Sequence, residues 1–170
     1  LAAIAGLIYL AASLGAGYNG FPLDDAWIHQ TYARNLGLHG QFAFTPGITS
    51  TGSTAPLWTL LLSAGYFLGV PFKLWAYLLG VLCLGLSGFS MARLGQRLFP
   101  ETLWRGPLVG LALIAEWHMV WAAVSGMETI LFIWLSILLV ERYATTVERS
   151  TGCDFMLLGL IGGALFLVRP

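Results

Sequence analysis

The chain has 170 residues, of which 58% are hydrophobic and 9% are charged, and its formal net charge is zero. About a quarter of the residues in an average soluble domain are charged, so this chain has too few charges to cover a water-facing surface. The eight basic residues are scattered, which excludes a nucleic-acid-binding patch. We therefore expect an integral membrane protein whose side chains contact lipid or other helices.

Five apolar runs are predicted to span the bilayer as helices, since a span takes about 20 residues. A further run, residues 57–70, is bracketed by Pro56 and Pro71 and is too short to cross the roughly 30 Å hydrocarbon core at about 1.5 Å per residue. We expect it to lie in the membrane interface. The sequence starts and stops next to apolar runs, which favours the N-terminal part of a longer polytopic protein. The five predicted spans are residues 1–18, 74–98, 106–126, 127–143 and 155–168.

The predicted fold class is therefore an all-α, polytopic transmembrane helix bundle. Arginine is enriched in cytoplasmic loops of membrane proteins. If residues 57–70 do not cross the bilayer, the arginines of 93–105 and 142–149 fall on one side, which would be cytoplasmic. Residues 19–73 then form a long outer loop that carries juxtamembrane helices, and the turn at 125–128 and Arg169 lie on the same outer side.

The first part of the outer loop, residues 24–38, is predicted to be an amphipathic helix on the membrane surface. Asp24 or Asp25 can cap its start, and the glycines at 37 and 40 end it. The spacing puts Ile28, Tyr32 and Leu36 on one stripe, with Asp25, His29 and Gln30 facing elsewhere.

The next part of the loop, residues 45–56, is rich in hydroxyl groups and glycine. Two interpretations stay open for it, a loop that wraps a polar ligand and a solvated connector.

The adjacent carboxylates Asp24 and Asp25 are the first candidates for chemistry. Such a pair suits proton transfer, because each carboxylate affects the ionisation of the other. The alternative is a structural role as a helix cap and a partner of the helix dipole. His29 follows Asp25 by one helical turn, so these two side chains can form a hydrogen bond or share a divalent metal ion. Two ligands do not define a metal site, so we assign no metal ligands, and the participation of a divalent metal ion stays open.

Four ionisable residues, His29 and three further ones, are candidates for binding an acceptor or a donor. Glu128 lies in a tight turn between two apolar runs, where it would face the same side as Asp24 and Asp25. Glu116 lies within an apolar run, where an ionisable group is costly and usually faces a cavity or a partner. Arg169 ends the last run, where its guanidinium can pair with a lipid phosphate or extend to any headgroup.

The order of these features resembles a known family. The stretch PLDDAWIHQTYARNLGLHGQFAFTPGITSTGSTAPLWTLLLSAGYFLG resembles the first outer loop of GT-C-type integral membrane glycosyltransferases, in particular arabinofuranosyltransferase-like proteins of bacteria. More distantly it resembles protein O-mannosyltransferases. SGMETILF resembles the second acidic motif of these families, and LVRP resembles an Arg-Pro near the end of a later helix.

The resemblance implies a GT-C-like fold and an inverting transfer of sugar from a polyprenyl-phosphate donor to a hydroxyl of a glycan, lipid or protein, in the bacterial plasma membrane. It implies that Asp24 is the general base, that Asp25 supports it or exchanges roles with it, and that Glu128 binds the acceptor or positions the base. Arg169 would pair with the lipid phosphate.

Two other classes of function remain as alternatives. One is a non-catalytic membrane subunit that keeps the scaffold inside a larger protein complex, and the other is a transporter with a polar path near Glu116. The enzyme predicts that Asp24 or Asp25 and Glu128 line one cavity. The subunit predicts that these carboxylates pair with nearby backbone or with another protein and line no cavity.

Overall fold

The structure is a computed structural model that describes residues 1–48, 50, 52–149 and 152–169. This part of the chain is helical, as the composition predicts. It contains the helices α1 (Ala2–Gly15), α2 (Asp24–His39), α3 (Pro56–Phe67), α4 (Phe72–Leu98), α5 (Arg105–Ala115), α6 (Trp117–Val124), α7 (Thr129–Arg149) and α8 (Gly152–Val168).

Two helices in the described part of the chain, α4 and α7, are long and apolar enough to cross a membrane. A third span is present if α5 and α6, which meet at an angle of 58°, are counted together. The other two predicted spans correspond to shorter apolar helices, since α1 has 14 residues and α8 has 17. The prediction of an all-α membrane protein is confirmed at this level.

The predicted span at residues 106–126 is not one continuous helix. The helical hydrogen bonding stops at Glu116, whose backbone is extended with φ −68° and ψ 122°. The Glu116 carboxylate then accepts a hydrogen bond from the backbone N–H of Met119 at 3.0 Å and so caps α6. A carboxylate that satisfies a free N–H of the next helix stabilises a new helix start, which is the physical reason for the break.

The bundle is organised around α4, which packs against α1, α5, α6 and α7. Small residues permit close approach at two of these contacts. A Cβ added at Gly80 would overlap the carbonyl oxygen of Ala123 in α6. A Cβ added at Gly106 in α5 would lie 2.6 Å from the carbonyl oxygen of Ala92. Close backbone packing through small residues is typical of helices in membranes, and here it fixes the position of the segment that follows α6.

The two helices that lie between α1 and α4, α2 and α3, pack against each other. Gly37 makes the contact close, since a Cβ there would lie 2.7 Å from the carbonyl oxygen of Ser63. The end of α2 is as predicted, with Gly40 in the left-handed conformation at φ 66°. Its start is different. Leu23 occupies the N-cap position, and no side chain caps the helix, so Asp24 and Asp25 lie in the first turn, where the helix dipole favours negative charge.

Candidate functional site

The turn between α6 and α7, residues 125–128, is the centre of the candidate site. Gly126 adopts φ +79°, and a Cβ there would lie 2.5 Å from the ring of Phe21, so both backbone conformation and space favour glycine. The indole N–H of Trp58 in α3 donates to the carbonyl oxygen of Gly126 at 2.9 Å, and Trp58 is fully buried. Phe21 before α2 and Trp58 in α3 therefore both contact this turn.

Glu128 and His29 form the most buried ionisable pair at this turn. The Nε2 atom of His29 lies 3.3 Å from the Oε2 atom of Glu128. His29 is 1% exposed and Glu128 is 5% exposed. Glu128 also begins α7, because its carbonyl oxygen accepts the N–H of Phe132 at 3.0 Å. Within the described residues, neither ring nitrogen of His29 forms a well-aligned hydrogen bond, so its 3.3 Å approach to Glu128 is an ion-pair contact.

The surroundings of Glu128 favour its charged form. Burial alone would raise the pKa of this carboxyl. Three other effects lower the pKa: the contact with His29, a backbone N–H and the positive charge of Arg169. Together they outweigh burial, so the pKa lies below its ordinary value of 4.5. Glu128 is therefore ionised at neutral pH, and Arg169 is close enough to influence it.

Asp24 and Asp25 lie at the exposed start of the helix that carries His29. Asp25 precedes His29 by four residues, which is about 6 Å along the helix axis. Neither aspartate forms a hydrogen bond or an ion pair within the described part of the chain. His29 contacts Glu128. The contact between His29 and Asp25 that the helical spacing allowed is not formed.

The two remaining candidates lie in different places. Arg169 is exposed at the end of α8, and its backbone N–H donates to the carbonyl oxygen of Leu165 at 3.0 Å. Its charge acts on Glu128, so it belongs to the same end of the bundle. Glu116 lies apart at the break between α5 and α6, where it contacts the Nδ1 atom of His118 at 2.6 Å and caps α6. The structure does not bring Glu116 together with the other candidates.

Polar residues on the packed side of α2 were not anticipated from the sequence. His29, Gln30 and Asn35 are buried, whereas the helical stripe placed His29 and Gln30 elsewhere, so that prediction was wrong. The sequence does contain a sign of which side of α2 is packed. Small residues mark the side on which helices approach closely, and Ala26 and Ala33, seven residues apart, are both fully buried.

These buried polar groups join α2 to α3 and to the loop that follows α2. The hydroxyl of Tyr66 donates to the Oε1 atom of Gln30 at 2.9 Å. The Nδ2 atom of Asn35 donates to the carbonyl oxygens of Ala43 and Phe44, each at 2.9 Å.

The hydroxyl-rich loop is tied to the same helix pair. The hydroxyl of Tyr32 lies 2.7 Å from the Oγ atom of Ser50 and accepts the N–H of Gly52 at 2.8 Å. The Oγ atom of Ser53 lies 2.9 Å from the Oγ1 atom of Thr59. Thr49 and Thr51 lie outside the described residues. The described hydroxyls of this loop at Ser50 and Ser53 are thus engaged with the protein itself.

A cavity of about 490 Å³ lies on the other side of the turn, between α1, the start of α4 and the end of α6. None of the six candidate residues lines it, so this cavity does not meet the expectation of a space shared by the acidic residues. Its lining residues are Tyr9, Leu10, Ser13, Leu14, Tyr18, Asn19, Gly20, Phe21, Pro22, Trp27, Lys73, Tyr77, Trp121, Val124 and Ser125.

The described residues contain no group of three or more His, Cys, Asp or Glu side chains placed to hold a metal ion. The set of ionisable side chains near the turn is small. It consists of a buried carboxylate–imidazole pair, two exposed carboxylates one helical turn away and a guanidinium at the edge. Neither a protein-family model, nor a curated protein, nor a solved structure matches this chain.

Proposed function

We propose that this protein is a membrane glycosyltransferase that moves a sugar from a polyprenyl-phosphate donor to an acceptor hydroxyl at the outer face of the membrane. The observation that carries the proposal is the contact between His29 and Glu128. This contact joins the helix that begins with Asp24 and Asp25 to a distant turn, since Glu128 follows His29 by 99 residues. The charge of Arg169 reaches the same point.

The proposed reaction is a single inverting displacement. The acceptor oxygen attacks the anomeric carbon of the donor sugar, and the bond from that carbon to the phosphate oxygen breaks, with its electron pair leaving on the phosphate. The acceptor proton passes to Asp24, whose exposed position at the start of α2 leaves it open to an incoming hydroxyl. Asp25 supports Asp24 or exchanges roles with it.

The other candidates would bind and position the reactants. Glu128 is ionised and contacts His29, so it can accept a hydrogen bond from the acceptor or fix the orientation of α2 through His29. Arg169 is exposed and positively charged, which suits a contact with the phosphate that accumulates charge as it leaves. Glu116 has no role in this scheme, because it caps α6 at another place in the bundle.

A second candidate function is that of a non-catalytic membrane subunit in a larger complex. One observation favours it: Glu128 is already paired with His29, and neither residue lines the large cavity. In that case the buried pair would serve only to join α2 to the turn.

Sugar transfer from polyprenyl-phosphate-linked sugars, measured with the protein in proteoliposomes, distinguishes the two functions. The enzyme predicts transfer by the wild type and a loss on the order of 100-fold or more in Asp24→Ala, the usual contribution of a general base. Glu101→Gln is the matched control, because Glu101 is an exposed carboxylate in the loop between α4 and α5. Equal transfer by wild type and Asp24→Ala would end the catalytic-base assignment. No transfer by any of the three would favour the subunit.

A further inference from the structure

The cavity beside α1 has a single charged residue in its lining, Lys73. Lys73 is also the only lysine in the sequence. Its ammonium group donates one hydrogen bond, to the Oδ1 atom of Asn19 at 3.0 Å. It forms no ion pair within the described part of the chain. Because an ammonium carries three N–H groups, two donors and a full positive charge remain for a ligand.

Part of the cavity wall is aromatic. The ring of Phe21 packs against Trp27 with a centroid distance of 5.3 Å and against Tyr77 with a centroid distance of 5.7 Å. Trp121 from α6 also lines the cavity. A cavity of this size with apolar walls and one convergent charge is typical of a small-molecule site. Its ligand would be apolar over most of its surface and anionic at one end.

An apolar track leads from the cavity along α1. Leu14 and Leu10 line the cavity, and Leu7 continues the same helical stripe. Leu14 is 58% exposed and Leu7 is 67% exposed. Because α1 runs away from Asn19 towards its own N-terminus, the track starts near Lys73 and extends along the lipid-facing surface of the bundle. A hydrocarbon chain attached to an anionic headgroup would fit this direction.

We propose that the cavity binds a lipid with an anionic phosphate headgroup, with the phosphate at Lys73 and the hydrocarbon chain along Leu14, Leu10 and Leu7. An anionic phospholipid and a polyprenyl phosphate share this chemistry, and the test below separates them. The proposal does not depend on the glycosyltransferase assignment, because none of the acidic candidates lines the cavity.

Native mass spectrometry of the purified protein in detergent tests the proposal. Dioleoyl phosphatidylglycerol and dioleoyl phosphatidylcholine are added separately, and bound lipid is counted. We expect preferential binding of the anionic lipid, weakened on the order of tenfold in Lys73→Gln, as for loss of a hydrogen bond to a charged group. Arg34→Gln is the matched control, since Arg34 is an exposed cation on α2 outside the cavity, and it should bind as the wild type does. Equal binding of the two lipids, or wild-type binding by Lys73→Gln, would overturn the proposal.

A second variant tests the position of the ligand. Ser13→Phe places a ring in the cavity without changing the charge, and it should also weaken binding of phosphatidylglycerol. Unchanged binding by this variant would show that the lipid binds elsewhere. Ser13→Phe therefore tests the proposal even if Lys73→Gln does not fold.

Competition identifies the source of the phosphate lipid. Displacement of phosphatidylglycerol by a lower concentration of a short polyprenyl phosphate would assign the site to the prenyl lipid, and weak displacement would assign it to the phospholipid. Displacement by millimolar inorganic phosphate alone would contradict a site that requires the hydrocarbon chain.

Discussion

The Nε2 atom of His29 lies 3.3 Å from the Oε2 atom of Glu128, and the two side chains are 1% and 5% exposed. They come from parts of the chain that are separated by four helices, α3 to α6. A buried carboxylate that faces an imidazole is strongly coupled to it, since removal of one partner leaves the other without compensation in a poorly solvated place. This pair therefore links α2 to the start of α7 through both packing and charge.

The coupling between the two side chains is the first prediction. We expect Glu128→Gln and His29→Ala each to destabilise the protein, and the double variant to lose less than the sum by about 1–3 kcal/mol. Denaturant unfolding in detergent micelles, followed by tryptophan fluorescence, measures the four free energies. Strictly additive losses would mean that the side chains do not interact.

The second prediction concerns pH. The pKa of Glu128 is lower in the folded protein than its ordinary value of 4.5. The carboxylate therefore contributes stability that is fully present above about pH 4.5 and is lost as the pH falls through the folded-state pKa. Thermal midpoints of wild type and Glu128→Gln, measured in detergent from pH 7 to pH 3, should differ most at neutral pH and converge in acid. A constant difference over that range would contradict the assignment.

The helical class and the end of α2 at Gly40 could be predicted from the sequence, because they follow from local composition and backbone preference. The partner of His29 could not. That partner depends on the rotation of α2 about its axis, which is set by close packing around Ala26 and Ala33, not by the Ile28 stripe. The helix break at Glu116 was also missed. The mean hydropathy of residues 106–126 is high, and a single capping carboxylate changes it little.

The third prediction concerns helix packing next to the turn. Gly80→Ala should destabilise the protein by at least about 1–3 kcal/mol, as overpacking usually does, because the new Cβ would overlap the carbonyl oxygen of Ala123. Gly85→Ala on the same helix is the control, since its Cβ would meet only the Ala2 Cβ at 3.7 Å. Thermal unfolding of the two variants in micelles measures the difference. Similar midpoints would refute the close contact between α4 and α6.

The fourth prediction concerns the contact that ties α3 to the turn. Trp58→Phe removes the donor to the carbonyl oxygen of Gly126 and should cost about 1–3 kcal/mol, the usual effect of an unsatisfied buried acceptor. Trp104→Phe is the control, because Trp104 is 62% exposed and should change stability little. Chemical unfolding of both variants checks the prediction, and equal small losses would show that the indole N–H contributes nothing.

The claim on which the proposed function depends is that the start of α2 and the end of α8 share one face of the membrane. The most direct measurement uses the single variants Asp25→Cys, Arg169→Cys and Glu101→Cys, each in a background in which Cys83 and Cys153 are replaced. A membrane-impermeant maleimide is added to sealed vesicles of known orientation. The account predicts that positions 25 and 169 react from the outer face, and that position 101 reacts only after the vesicles are permeabilised. Reaction of positions 25 and 169 from opposite faces would contradict it.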